Sequence, residues 1–213
     1  MKNATYQLHL EAAPRTLLEF GSVIGQMLPL AVLGGGTAMA LQLGHRKSYD
    51  LDFFVPKSVP KTLLHALGKK IGPAKPIIDS SDELTVVMRD TKISVVYDPF
   101  PPLHPIIKTN VAPLFDLRDL ASNKAHAVGR RGVWRDYVDL FIFLKHNFPL
   151  AGIIKDAEKK FGDSFNAKLF LEQLTYFDDI EDVAIEWVEK KYTQSAIKAF
   201  LVKEVKRYLN PVQ

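Results

Sequence analysis

Apolar residues recur along this chain in two rhythms, and the rhythm changes near its middle. Residues 15–28 (RTLLEFGSVIGQML) bring Leu17, Leu18, Val23, Ile24 and Leu28 close to one helical stripe, which Pro29 ends. LAVLG at 30–34 has the length of a buried strand. Thr37 to Leu43 reads as a helix closed by Gly44, and Tyr49 to Val55 alternates as a strand does. Pro56 and Pro60 mark a loop, and a helix over 61–71 buries Leu63, Leu64 and Leu67 before Gly72 and Pro73 break it. Two strands follow, Glu83–Arg89 and Lys92–Tyr97, with Asp90-Thr91 as the turn between them. A loop with four prolines (98–105, DPFPPLHP) is a natural boundary. From Asp116, with Asp119 in an acidic first turn, the spacing is helical throughout: to Val128, over Trp134–Asn147, then near 151–161, 165–176, 182–191 and 194–209. Mixed elements followed by helices alone predict an α+β chain, with an α/β core over 1–112 and a helical domain over 113–213.

Three groups of residues carry candidate chemistry. Asp50 and Asp52 alternate with Leu51 and Phe53, so both acids face one side of a strand, about 7 Å apart. Two carboxylates so placed are costly unless a cation joins them, and Mg²⁺ takes one or two carboxylates together with phosphate oxygens. Upstream, Gly34-Gly35-Gly36-Thr37 opens a helix, where free backbone N–H groups can cradle an anion. Second, Lys124 stands among small residues in LASNKAHAVG, and Arg131 is seven residues on, sharing a face if the helix runs through Gly129. With Arg130 they form a setting suited to a triphosphate. Third, Asp136 and Asp139 lie one turn apart on the apolar helix WRDYVDLFIFL and need a cationic partner, for which Lys124, Arg131 and Arg135 are available. Of six histidines only His45 adjoins the acid pair, and none has zinc-ligand spacing. No GxSxG or Walker A motif is present.

Composition narrows the setting. With 213 residues and 47% hydrophobic content the chain can bury a core. It has no cysteine, which excludes disulfides and thiolate zinc sites and points to a reducing, cytoplasmic compartment. The first fifteen residues lack the apolar stretch of a signal peptide, and no apolar run approaches the ~20 residues of a membrane span. A net charge of +4 permits a nucleotide or nucleic-acid partner without requiring one.

Gly35-Gly36-Thr37 followed by HRKSYDLDFF (45–54) resembles the GGT…HRxSxDLDFF signature of the AbiEii-type nucleotidyltransferases. These are a branch of the DNA polymerase β-like superfamily. Lys124, then Arg135-Asp136-Tyr137-Val138-Asp139-Leu140, resembles the family's second signature, a helical lysine before RDxxDL. The resemblance implies a palm-like mixed sheet with flanking helices, then a helical C-terminal part. It implies Mg²⁺-dependent transfer of a nucleoside monophosphate from an NTP to RNA, tRNA included, or to a protein, in the manner of toxins paired with an antitoxin. Carried over, Gly36 and Thr37 hold the triphosphate with Gly35 shaping the turn. Asp50 and Asp52 bind Mg²⁺, and Lys124 neutralises phosphate, oriented by Asp136 or Asp139. His45, Arg46, Ser48 and Arg131 give support or phosphate contacts. The wider superfamily places a third carboxylate on a neighbouring strand. Here Ser94 occupies that place in KISVVY, and Asp98, of the same parity, sits at the strand's end. That departure supports the alternative of a nucleotidyltransferase fold that binds nucleotide or protein without chemistry.

Overall fold

The computed structural model describes residues 7–188 and 190–210. It divides into two compact units, one ending at Asp116 and the other starting at Leu117. The first holds α1 (Leu17–Met27), β1 (Val32–Leu33), α2 (Gly35–Leu43), β2 (Leu51–Val55), α3 (Leu63–Ile71), β3 (Lys75–Asp79), β4 (Glu83–Met88) and β5 (Thr91–Tyr97). Its five strands form one sheet in the order β1-β2-β5-β4-β3, with β2 and β5 parallel and the other neighbours antiparallel. The fold is thus a mixed sheet with flanking helices.

Strand alternation divides the sheet's side chains cleanly. Leu51, Phe53, Leu84, Val86, Met88, Ile93 and Val95 lie in the buried core. The opposite face carries three cross-strand rows, set by the register Asp52↔Ser94↔Thr85. Continuing the parallel pairing back one residue places Asp50 beside Lys92, which faces Val87. Phe54, Val96 and Glu83 form the third row.

Three elements differ from the sequence expectation. The β4–β5 turn is Arg89-Asp90, one residue earlier than Asp90-Thr91. Both residues take positive φ (46° and 61°), as the tight hairpin turn that matches strand twist requires. Arg89 is held there by Glu19 and the Ile71 carbonyl, each at 2.7 Å. β3 has no counterpart in the sequence reading. It is an exposed edge strand with Pro76 beside a register shift, and an edge is where proline is tolerated. In the second unit, 182–188 is not helical. Val183, Ile185 and Trp187 are half-buried and alternate with exposed Asp182, Ala184 and Glu186, and Glu181 exchanges backbone bonds with Gly132 and Trp134.

The second unit is built of α4 (Leu117–Val128), α5 (Trp134–Lys145), α6 (Leu150–Phe161), α7 (Ala167–Gln173) and α8 (Gln194–Leu209). Asn166 and Thr193 cap α7 and α8 by accepting from the N–H three residues on. A charged pair, Lys160 and Asp119 at 3.0 Å, is fully buried where α6 meets α4. Among the described residues no single helix is long and apolar enough to cross a membrane.

Candidate active site

The glycine corner between β1 and α2 and the acidic strand β2 are in direct contact. Gly34 N–H donates to the Asp52 carbonyl at 2.8 Å. Gly35 has φ +62°, a conformation costly for residues with a Cβ, and a Cβ there would collide with the Asp52 carboxylate. A Cβ on Gly36 would lie 2.5 Å from Arg46 Nη2 and 3.1 Å from Ser48 Oγ. The Thr37 hydroxyl is buried and bonds Ser48 Oγ at 2.9 Å and the Asp50 carbonyl oxygen. It ties the segment before β2 to the first turn of α2. Gly35, Gly36, Thr37, Arg46, Ser48, Asp50 and Asp52 therefore come together. His45 is buried beside them in sequence.

Asp50 immediately precedes β2 and Asp52 lies within it, both half-buried on the polar face. Lys92 Nζ is 3.7 Å from an Asp50 carboxylate oxygen, with both side chains partly exposed. Sequence reading did not assign Lys92 to the site. Its signal was parity, since Lys92 is two residues from Ser94 on a strand already placed beside the acids. Ser94 adjoins Asp52, and its Oγ is 3.0 Å from Thr85 Oγ1, which bonds Glu83 Oε1 at 2.6 Å. Glu83 and Thr85 were also unassigned. Asp98 is spent on the proline-rich loop, where its Oδ1 accepts the Phe100 N–H at 3.0 Å.

Among the described residues no group of three or more His, Asp or Glu side chains is poised to hold a metal. The Asp50–Asp52 pair still fits a hydrated divalent cation, which needs only one or two protein carboxylates. The nearby Lys92 ammonium shows that the face accommodates positive charge. At the C-terminal end of β2, Phe54, Phe100, Phe115, Val32, Pro29 and Pro101 help line a recess of about 380 Å³. Phe54 and Phe115 pack at 5.6 Å between ring centres.

In the second unit Lys124 Nζ lies 2.7 Å from carboxylate oxygens of both Asp136 and Asp139. Arg131 Nε donates to the other Asp136 oxygen at 3.0 Å. Arg131 does not share a helix with Lys124, because α4 ends at Val128; it reaches Asp136 from the loop. The two carboxylates are essentially buried and Lys124 nearly so. Burial opposes ionisation of Asp136, but Lys124 and Arg131 outweigh it and hold the carboxyl below its usual range. Four charges thus balance within one cluster.

A family model described as the nucleotidyl transferase AbiEii toxin of type IV toxin–antitoxin systems matches residues 24–100. An uncharacterized protein of Aquifex aeolicus (strain VF5) is 29% identical over 182 residues, 83% of this chain and 87% of that protein. Among solved structures, MenT4, a nucleotidyltransferase toxin of Mycobacterium tuberculosis H37Rv, superposes with a TM-score of 0.63. It is 18% identical, over 92% of this chain and 81% of its own. JHP933 from Helicobacter pylori follows at a TM-score of 0.52 and 17% identity, over 91% and 92% of the two chains. The family match covers β1, α2 and β2 with the glycine corner and both acids, so residues 24–100 are similar to the AbiEii nucleotidyl transferase family, and the chain shares the fold of the two solved structures.

Proposed function

We propose that this protein transfers a nucleoside monophosphate from an NTP to a hydroxyl on RNA, tRNA being the first acceptor to try, as a toxin answered by a cognate antitoxin. The observation that carries the reading is the collision a side chain at Gly35 would make with Asp52. It puts the Asp52 carboxylate against the anion-cradling corner, which supports reading the corner and the acid pair as one site. Asp50 and Asp52 would hold Mg²⁺, and a cation bound there supplies charge neutralisation to phosphate oxygens. The N–H groups at the start of α2 are free of intrahelical partners and take the triphosphate, with the Arg46 guanidinium beside Gly36. The recess beyond Phe54, of small-ligand size and walled by three phenylalanines, takes a nucleobase. Lys124, fixed by Asp136 and Asp139, serves as a phosphate-neutralising ammonium. In the reaction the acceptor oxygen bonds the α-phosphorus as the bond to pyrophosphate breaks. The protein's task is to position and to neutralise.

The test is incubation with each α-³²P-labelled NTP, Mg²⁺ and total RNA. Label should enter an RNA band, and Asp50→Asn or Asp52→Asn should reduce incorporation by about a thousandfold. Full transfer by either variant overturns the assignment. Ser94 in place of an acid supports a second reading, a nucleotide-binding module without chemistry. That reading predicts saturable Mg-NTP binding with no label in any RNA or protein.

A further inference from the structure

The acid pair lies between two flanks of unlike chemistry, because β2 sits between β1 and β5 in the sheet. On the β1 side is the glycine corner, where Gly35 abuts the Asp52 carboxylate and the Arg46 guanidinium stands beside Gly36. That flank takes the triphosphate in the reading above. An in-line displacement puts the acceptor opposite the departing pyrophosphate, which leaves it the β5 side. Two β5 side chains adjoin the acids there. Ser94, in register with Asp52, is buried, and its Oγ lies 3.0 Å from Thr85 Oγ1. Lys92 is open to an incoming acceptor: its side chain is 45% exposed, and its Nζ lies 3.7 Å from an Asp50 carboxylate oxygen. Two divalent ions about 4 Å apart can neutralise the attacking and leaving oxygens of such a displacement, but each needs oxygen ligands of its own. Among the described residues no third His, Asp or Glu joins Asp50 and Asp52 in a cluster that could hold a metal. The neighbouring strand supplies an ammonium instead, and its charge repels a second cation from that flank.

We propose that Lys92 is the acceptor-side cation of the site: the acid pair holds one divalent ion, and the Lys92 ammonium takes the place of a second. The proposal rests on the transfer reaction set out above. With the acid pair empty, Lys92 pairs with Asp50. Once a cation neutralises Asp50, the flexible four-carbon stem lets the ammonium turn to the acceptor oxygen and a non-bridging oxygen of the α-phosphate. In the step the acceptor oxygen bonds the α-phosphorus, and the bond to pyrophosphate breaks with its electron pair. The acceptor's proton ends on the pyrophosphate by way of water. Lys92 stays an ammonium throughout and moves no proton. Its task is to offset the negative charge that gathers on the acceptor and phosphoryl oxygens as the bonds change.

The experiment joins metal counting to kinetics on the full chain. Mn²⁺ binding is measured by calorimetry in the presence of the α,β-methylene analogue of the NTP found above, which binds without reacting. The parent should take one Mn²⁺ per nucleotide-loaded chain. Lys92→Asp, which sets a third carboxylate beside Asp50 at an exposed position, should take a second. In steady-state transfer of α-³²P label, Lys92→Ala should lower kcat about a hundredfold, the scale of one lost electrostatic contact to the transition state. Its NTP KM should stay within about threefold, and its Mn²⁺ affinity should not fall, which separates a cation acting on substrate from one that merely supports the acid pair. Lys92→Arg keeps the charge and should retain kcat within about tenfold. Two Mn²⁺ on the parent, parental kcat in Lys92→Ala, or a single Mn²⁺ on Lys92→Asp overturns the assignment of Lys92 and leaves the transferase standing. Absence of label transfer by the parent chain overturns both.

Discussion

Replacing Gly35 with alanine tests the contact on which the site is built. Two separable costs follow. At φ +62° an alanine is disfavoured by about 1–2 kcal/mol relative to a relaxed backbone. The new Cβ also falls on the Asp52 carboxylate, and turning that side chain off its rotamer adds about 0.5–1.5 kcal/mol. The alanine chain is less flexible when unfolded, which returns about 0.4–1 kcal/mol. The net loss is about 1–2.5 kcal/mol, which lowers Tm by roughly 5 °C for a chain of this length. Gly25→Ala is the control. Gly25 lies within α1, nothing stands within 4 Å of its would-be Cβ, and helix propensity then favours alanine by about 0.5–1 kcal/mol. Differential scanning fluorimetry reads stability, and Mn²⁺ titration reads the acid pair. Gly35→Ala should melt earlier and bind Mn²⁺ more weakly, because the displaced carboxylate is a proposed ligand, whereas Gly25→Ala should melt slightly later with Mn²⁺ binding unchanged. A Gly35→Ala chain with parental melting and parental Mn²⁺ affinity would refute the geometry.

Lys124→Met should cost about 3–5 kcal/mol in urea unfolding, since it leaves Asp136 and Asp139 buried without their shared cation; a loss under 1 kcal/mol would show that neither depends on it. Because Asp136 titrates below the usual carboxylate range, the stability it confers is complete above the unfolded-state pKa and lost as pH falls through the lower folded one. Helical ellipticity should therefore fall on acidification below the ordinary carboxylate range, and Asp136→Asn should flatten that limb. Lys92→Ala removes a partly exposed cation that competes for Asp50, so Mn²⁺ affinity should rise, by no more than about fivefold given the low worth of exposed pairs; weaker binding would place Lys92 in support of the site.

The elements that hold the candidate site were readable because their signals are local. Glycines opening a helix, alternation through 50–54 and a terminating Gly44 each act within a few residues. The closeness of Asp52 to the glycine corner follows from strand period and a short return. The rest depends on register, which no single segment encodes. Lys92, Thr85 and Glu83 join the polar face only once β5 lies parallel to β2 and antiparallel to β4. Arg131 reaches Asp136 although its helix has ended, because a long side chain on a loop does not obey helical spacing. The stretch 182–188 lies within a segment read as helical, but Val183, Ile185 and Trp187 alternate with exposed residues, and Glu181 just before it bonds through its backbone to Gly132 and Trp134.

Charge is distributed differently in the two units. On the sheet face Asp50, Asp52 and Glu83 lie near Lys92, with the Arg46 guanidinium at the adjoining glycine corner, so the carboxylates are the groups a divalent cation would join. The second unit's cluster pairs Lys124 and Arg131 with Asp136 and Asp139, so it is neutral as a group. A neutral cluster exerts little attraction at a distance, whereas in the proposed reaction its ammonium, already held by two carboxylates, would meet phosphate charge without reorganising. NTP affinity should therefore follow the cation bound at the acid pair. Replacing Lys124 in a background stabilised enough to fold should depress kcat more than it raises the NTP KM, and the reverse pattern would assign the lysine to ground-state binding.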